Sequence, residues 1–194
     1  MALDNKKVII GAPNQSATAG AVAYAETSAT LPTDAAAALG TGWADGGYVS
    51  EDGVSVTPTY NTTDIKDWSK GTVRTVLNEF TGEVAFAFIQ TDEASLKAIF
   101  GEESVTKTAA TAQHGEQLTV KLGARMAPSK AYCFSMKDGD ARARIVLPNA
   151  QPVIDGSLTF AADSPISWPV TLKCSANANG DSIIIMTDDG VVSA

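Results

Sequence analysis

The chain has 194 residues, 44% of them hydrophobic, enough for one domain of ordinary size with a real core, which excludes a disordered polypeptide. A formal net charge of −8 excludes the cationic surface that stable, nonspecific nucleic-acid binding requires. No run approaches the roughly 20 apolar residues of a membrane helix, and the opening MALDNKKVII lacks the long apolar core of a secretion signal, so neither membrane binding nor export is expected.

Residues 1–41 stand apart in composition. After Val8-Ile9-Ile10 the chain is mostly Ala, Thr, Ser and Gly, with one stretch, Asp34 to Leu39 before Gly40, that reads as a single helical turn capped by Thr33 or Asp34. The segment has little to bury by itself. A floppy leader and an arm ordered against a neighbouring subunit are the two readings, and the second is the expectation carried forward, with residues 42–194 as the main domain.

From Gly42 onward the signals are mostly β. Val54 to Thr57 alternates. Thr72 to Gln90 reads as two strands around a bend near Thr81-Gly82, the second with Val84, Phe86 and Phe88 on one face and Ala85, Ala87 and Ile89 on the other. A strand apolar on both faces is covered on both. Thr91 to Gly101 predicts the one clear helix, with Thr91 as N-cap, acids in the first turn, Leu96, Ile99 and Phe100 on its apolar face and a closing glycine. Such a helix docks on a sheet, closing an open end.

After a polar loop, Gly101 to Gln117, strands resume. Leu118-Val120-Leu122 and Tyr132-Phe134-Met136 alternate with polar partners, and Arg142 to Leu147 is broken by Pro148-Asn149. Ser157 to Phe160, Trp168 to Cys174 and Ser182 to Met186 follow, the last after Asn179-Gly180, a hairpin signal. Short, closely spaced strands with Gly, Asn and Asp turns predict a mainly β (α+β) fold, a β-sandwich or barrel with one flanking helix.

Chemistry is sparse. His114 is the single histidine and lies in a polar loop with no ligand spacing around it. No nucleophile elbow, GxGxxG or Walker A pattern occurs. Asp138-Gly139-Asp140, Asp188-Asp189 and Glu51-Asp52 hold clustered carboxylates, but acidic-glycine pairs are ordinary turn formers and none matches a calcium loop. No catalytic residue, metal or cofactor is expected. Cys133 and Cys174 could form one bridge, although a domain of this size does not need it and buried free thiols are expected.

Contact residues are better represented. Arg142 and Arg144 point the same way on a strand, near Lys130 and Lys137; this stripe either pairs with acids of a neighbouring subunit or is a solvated face. Trp43, Tyr48 and Trp68 lie in loop-like text, where aromatics either pack on their own domain or anchor an interface. These five, Trp43, Tyr48, Trp68, Arg142 and Arg144, are the candidate self-assembly contacts. Trp168 reads as core or sheet edge.

The segment Gly42-Trp43-Ala44-Asp45-Gly46-Gly47-Tyr48-Val49-Ser50-Glu51-Asp52-Gly53-Val54, followed by Asp64-Ile65-Lys66-Asp67-Trp68, resembles the tail tube (major tail) proteins of long-tailed phages, particularly those infecting actinobacteria. The Thr72–Phe100 block, ARIVLPNA with Asp155 after it, and ISWPVTLKC with the later DDG follow in that family's order. The resemblance implies a tail-tube-like sandwich, commonly six copies to a ring, with rings stacked head to tail around a channel through which DNA passes. It implies a sheathless, non-contractile tail, assembly in the host cytoplasm, and partners in other copies of the chain and the terminator, tip and tape-measure proteins. It makes the arm at 1–41 and the Trp43–Trp68 loop the stacking contacts. Gly46-Gly47 replaces a larger apolar residue common in the family, which implies a more mobile corner. A C-terminal immunoglobulin-like domain, present in some relatives, is not expected. Another ring-forming virion protein (terminator, neck or head decoration) and a carbohydrate-binding β-sandwich are the alternatives.

Overall fold

Strand β8 (Ala141–Val153) organises the body of the molecule. In this computed structural model, which describes residues 7–17 and 20–192, β8 runs antiparallel to β7 (Lys130–Asp138) and turns from one half of a folded sheet into the other. Its first half, Arg142 to Val146, also pairs with β10 (Ile184–Asp188). Its second half, Ala150 to Val153, pairs with β9 (Trp168–Cys174). Between the halves the register slips: Tyr132 faces Leu147 while Lys130 faces Ala150, so β8 carries one extra residue around Pro148-Asn149. A proline cannot donate to the ladder and a bulge bends its strand. The expected break at Pro148 is therefore a bend inside one continuous strand.

One half-sheet adds β1 (Val22–Ala25) beside β7 and the short β2 (Ala44–Asp45) at its edge. The other continues from β9 to β4 (Thr72–Phe88) and β3 (Ser55–Lys66). The halves face each other as a sandwich. Tyr132, Phe134, Ile145 and Leu147 meet Val84, Phe86, Phe88, Val170 and Leu172 in one buried cluster, with the Phe86 and Phe134 rings edge to face at 5.2 Å. Alternation puts Ala23, Cys133 and Val146 on the opposite face of the first half-sheet, where Leu31, Leu39 and Trp43 cover them with Ile184 and Met186.

That cover changes the picture of residues 1–41. Residues 1–6 and 18–19 lie outside the described residues, so the arm is described only in part. Within it, Lys137 N donates to Ala12 O and Asn14 N to Ser135 O, and β1 pairs with Ala131 to Phe134 further along the same edge of β7. Val22 to Ala25 are all buried, and residues 26–43 pack over the sheet's second face. Small residues make this possible: Ala23 fits between β7 and its cover, where a larger side chain would force the layers apart. The helical turn expected at Asp34–Leu39 is a bend, though the Asp34 carboxylate does accept from Ala36 N and Ala37 N as a cap would.

Helix α1 (Glu93–Phe100) begins one residue later than the sequence suggests. Asp92, not Thr91, is the N-cap, its carboxylate accepting from Ser95 N at 2.8 Å, while Thr91 Oγ1 accepts from Trp168 Nε1. Gly101 ends the helix at φ 81°, where it donates to Lys97 O. Leu96, Ile99 and Phe100 are buried as their spacing predicts, Phe100 meeting the Trp168 ring edge to face, and the Tyr132 hydroxyl donates to Ala98 O. The helix closes one end of the sandwich together with a small hairpin, β5 (Val105–Thr108) and β6 (Gln117–Val120). β5 falls in the stretch read as loop, because Thr106 to Thr108 are exposed and show no apolar alternation.

Two other expectations differ. Ser157 to Phe160 is not a strand; only a Thr159–Ser167 bridge forms. Asn177 to Asp181 does turn, with Gly180 at φ 89°, yet β9 and β10 are not paired, and the turn carries the chain from one half-sheet to the other. The Gly46-Gly47 corner is tightly packed: a Cβ on Gly46 would lie 3.0 Å from the Phe88 ring, and one on Gly47 2.7 Å from Ser95 Oγ. Both cysteines are free thiols.

Burial works against the Asp92 charge, but the bonds from Ser95 and Gln90 outweigh it and hold the carboxyl below its ordinary range. A depressed folded pKa stabilises above the unfolded value, near 4, and that stability is lost as pH falls through the folded value. Asp92→Ala should cost about 1 kcal/mol at pH 7 in denaturant melts. The gap from wild type should shrink steadily below about pH 4.

Candidate assembly interface

Beyond Gly82 the β3–β4 pair leaves the body. β9 pairs with β4 only from Gly82 to Phe88, whereas β3 follows β4 from Ala85 out to Thr72. Thr59 to Thr81 is therefore a two-stranded ribbon, and among the described residues no third strand flanks it. Gly82 marks the exit: a Cβ there would lie 2.8 Å from Ile183 Cδ1. The bend expected at Thr81-Gly82 is absent because β4 passes straight through; the reversal is at Asp67–Gly71. Much of the expected Trp43–Trp68 loop is thus strand β3.

The ribbon is held by its own ladder and a few polar cross-links. Thr75 Oγ1 donates to Asp64, Asn78 Nδ2 to Thr63 Oγ1, and Asn61 Nδ2 to Glu79. At the turn the Asp67 carboxylate accepts from Ser69 Oγ and from Gly71 N at 2.8 Å, while Lys70 takes the left-handed conformation, φ 67°. The bonds from Ser69 and then Gly71 hold the Asp67 carboxyl below its usual range. Apolar side chains along the ribbon find little cover. Tyr60 leans on Phe80 at 4.9 Å yet remains exposed, as do Ile65, Val73 and Leu77, and Trp68 at the turn is 101% exposed.

The five candidate contacts fall into different settings. Trp68 and Tyr48 are exposed, Trp68 at the ribbon tip and Tyr48 past the far end of β4, where its carbonyl accepts from Ile89 N. Trp43 is half-buried over the second face of the sheet, its indole N–H donating to Thr30 O at 3.2 Å. Arg142 is half-buried and donates to Gly139 O and Ala141 O. Arg144 is buried, donating to Asp34 O and Ala37 O at 2.8 Å each, so its guanidinium holds residues 34–37 onto its own sheet rather than facing outward. The two arginines do share a strand face, but that face is covered by the chain itself.

Tyr60, Ile65, Val73, Leu77 and Phe80, the apolar side chains of the ribbon, are not among the candidates read from the sequence. The signal was faint: Thr57 to Lys66 is polar and β-branched without alternation, so only the turn residues Asp67 and Gly71 betrayed a hairpin.

Nothing in these surfaces resembles reaction chemistry. His114 is exposed in a loop, and among the described residues no group of three or more His, Cys, Asp or Glu converges as a metal site. Burial pushes the Cys133 thiol up, and burial with nearby Glu83 pushes Cys174 up to about 11, which keeps both protonated and unreactive at neutral pH.

A family profile described as phage tail tube protein matches residues 1–193. The chain belongs to that family. Comparison with curated proteins gives no individual match. The assignment covers nearly the whole chain, agrees with the mainly β sandwich and its single helix, and makes this a structural protein of the phage tail. In a tail tube protein, exposed apolar side chains on a ribbon without a core of its own are what self-association would cover.

Replacing Tyr60 and Leu77 together by threonine should leave the unfolding free energy nearly unchanged, within about 0.5 kcal/mol, since both are exposed. Sedimentation should show self-association weakened at least tenfold. Arg144→Ala should instead act inside the domain, costing about 2 kcal/mol through its two charged hydrogen bonds and speeding proteolytic cleavage within residues 34–41.

Proposed function

We propose that copies of this chain join side by side into rings, six to a ring, and that rings stack head to tail into the tube of a non-contractile phage tail, the conduit through which DNA leaves the capsid. The ribbon carries this reading. Both its edges beyond Gly82 present unpaired backbone groups, and its side chains expose Tyr60, Ile65, Trp68, Val73 and Leu77. An isolated two-stranded ribbon is marginal in water, and open edges are templates for further strands. Ribbons from neighbouring copies laid edge to edge would satisfy both needs and line a channel with β-structure. Lateral contacts of this heterologous kind close rings, while contacts along the axis extend without limit.

Charge is consistent with the conduit. A net charge of −8 gives phosphates no strong attraction to the wall, so DNA can slide without being held. Residues 7–11, with Val8 and Ile10 exposed, would be the part of the expected arm that meets an adjacent ring. The terminator, tip and tape-measure proteins complete the partner set, assembly occurs in the host cytoplasm, and the motif resemblance points to an actinobacterial host.

Negative-stain electron microscopy of the purified chain should show tubes of indefinite length with a central hole. Single closed rings or trimers that never elongate would favour a terminator, neck or decoration protein. Monomers that bind glycans would favour a lectin-like sandwich and overturn the proposal.

A further inference from the structure

Trp68 sits at the apex of a turn whose geometry is fixed by the Asp67 carboxylate and by Lys70 in the left-handed region. Its indole has no contact that removes it from water. Tryptophan on a preorganised loop is the commonest kind of interface anchor, and its value depends on a pocket that encloses it. Across residues 64–74 Lys66, Lys70 and Arg74 outnumber Asp64 and Asp67, so the tip is weakly cationic with an aromatic point.

The chain also contains a matching hole. A cleft of about 630 Å³ opens between the N-terminal segment and the Tyr48–Val54 loop, with Val22, Val54, Phe134 and Met136 as its apolar lining and Asp45 and Glu51 as its charges. No lysine or arginine lines it among the described residues. A second groove, about 290 Å³, carries Lys121 and Arg125 and would repel the same tip. The cleft cannot take the Trp68 of its own chain. Val54 lines the cleft and immediately precedes β3, at whose other end the tip stands 12 residues of strand away, roughly 40 Å.

We propose that Trp68 of one copy seats in this cleft of a second copy, with Lys66 and Lys70 paired against Asp45 and Glu51. The contact is heterologous: each copy offers a knob at one end and a hole at the other, so the series cannot close on a pair and grows head to tail. The inference rests on the tube reading and assigns the seat that successive rings use.

A benzophenone amino acid in place of Trp68 keeps an aromatic tip and labels whatever surrounds it on illumination. Crosslinked polymers should carry the label on Val49–Val54 or Phe134–Met136 of another copy. Trp68→Ala should raise the concentration needed for polymerisation about thirtyfold, the factor corresponding to loss of one anchor residue. The double variant Lys66→Glu, Lys70→Glu should block growth, and adding Glu51→Lys to that chain should restore part of it; all three residues are exposed, so folding is not at stake. Normal tubes whose label falls elsewhere, in the Lys121–Met126 groove or on another tail protein, would overturn this seat and leave the tube reading standing. A wild-type chain that stays monomeric at every concentration would remove both.

Discussion

A β-ribbon two strands wide has no inside. Side chains on either surface meet water, and the outer edge of each strand leaves donors and acceptors unpaired. Thr59 to Thr81 is built in this way, and the body of the molecule offers it no cover past Gly82. In the proposed tube, neighbouring copies would supply the missing layer and the missing strands. The chain by itself has an enclosed sandwich at one end and an uncovered ribbon at the other.

The finished end shows how the unfinished end can be tolerated. β8 bends at Pro148-Asn149 so that one strand serves both half-sheets, and the sandwich closes around Tyr132, Phe134, Leu147, Phe86 and Leu172. Residues 26–43 seal the second face of β7, with Arg144 stitching them down through backbone carbonyls. With its core enclosed and its second face covered in this manner, the body gives the exposed ribbon a packed root.

Much of the body was legible in the sequence, because burial writes a pattern. Val84, Phe86 and Phe88 alternate because they face the core, and Leu96, Ile99 and Phe100 recur at helical spacing for the same reason. The arm was not legible. Where neither face is buried, selection for apolar alternation lapses, and Thr57 to Lys66 reads as loop although its backbone is strand. The edge pairing of residues 12–14 and the folding of 26–43 were hidden for a related cause: Ala and Thr pack well but signal weakly. Of the contact residues, Trp68 and Tyr48 are exposed, whereas Arg144 shows how strand parity identifies a shared face without revealing that the chain itself covers it.

The unbroken course of β4 has a mechanical consequence. From Phe88 in the core to Thr72 near the tip there is one backbone with no loop between, clamped at its root by β9 on one side and β3 on the other. A force pulling on the tip along this axis shears the root ladder, loading its hydrogen bonds together instead of peeling them one after another. The ribbon is thus rooted in the sandwich through one continuous strand, and its two register slips, at Asn61/Thr62 and Ile65/Lys66, are where bending or twisting imposed at the tip would concentrate before reaching the core.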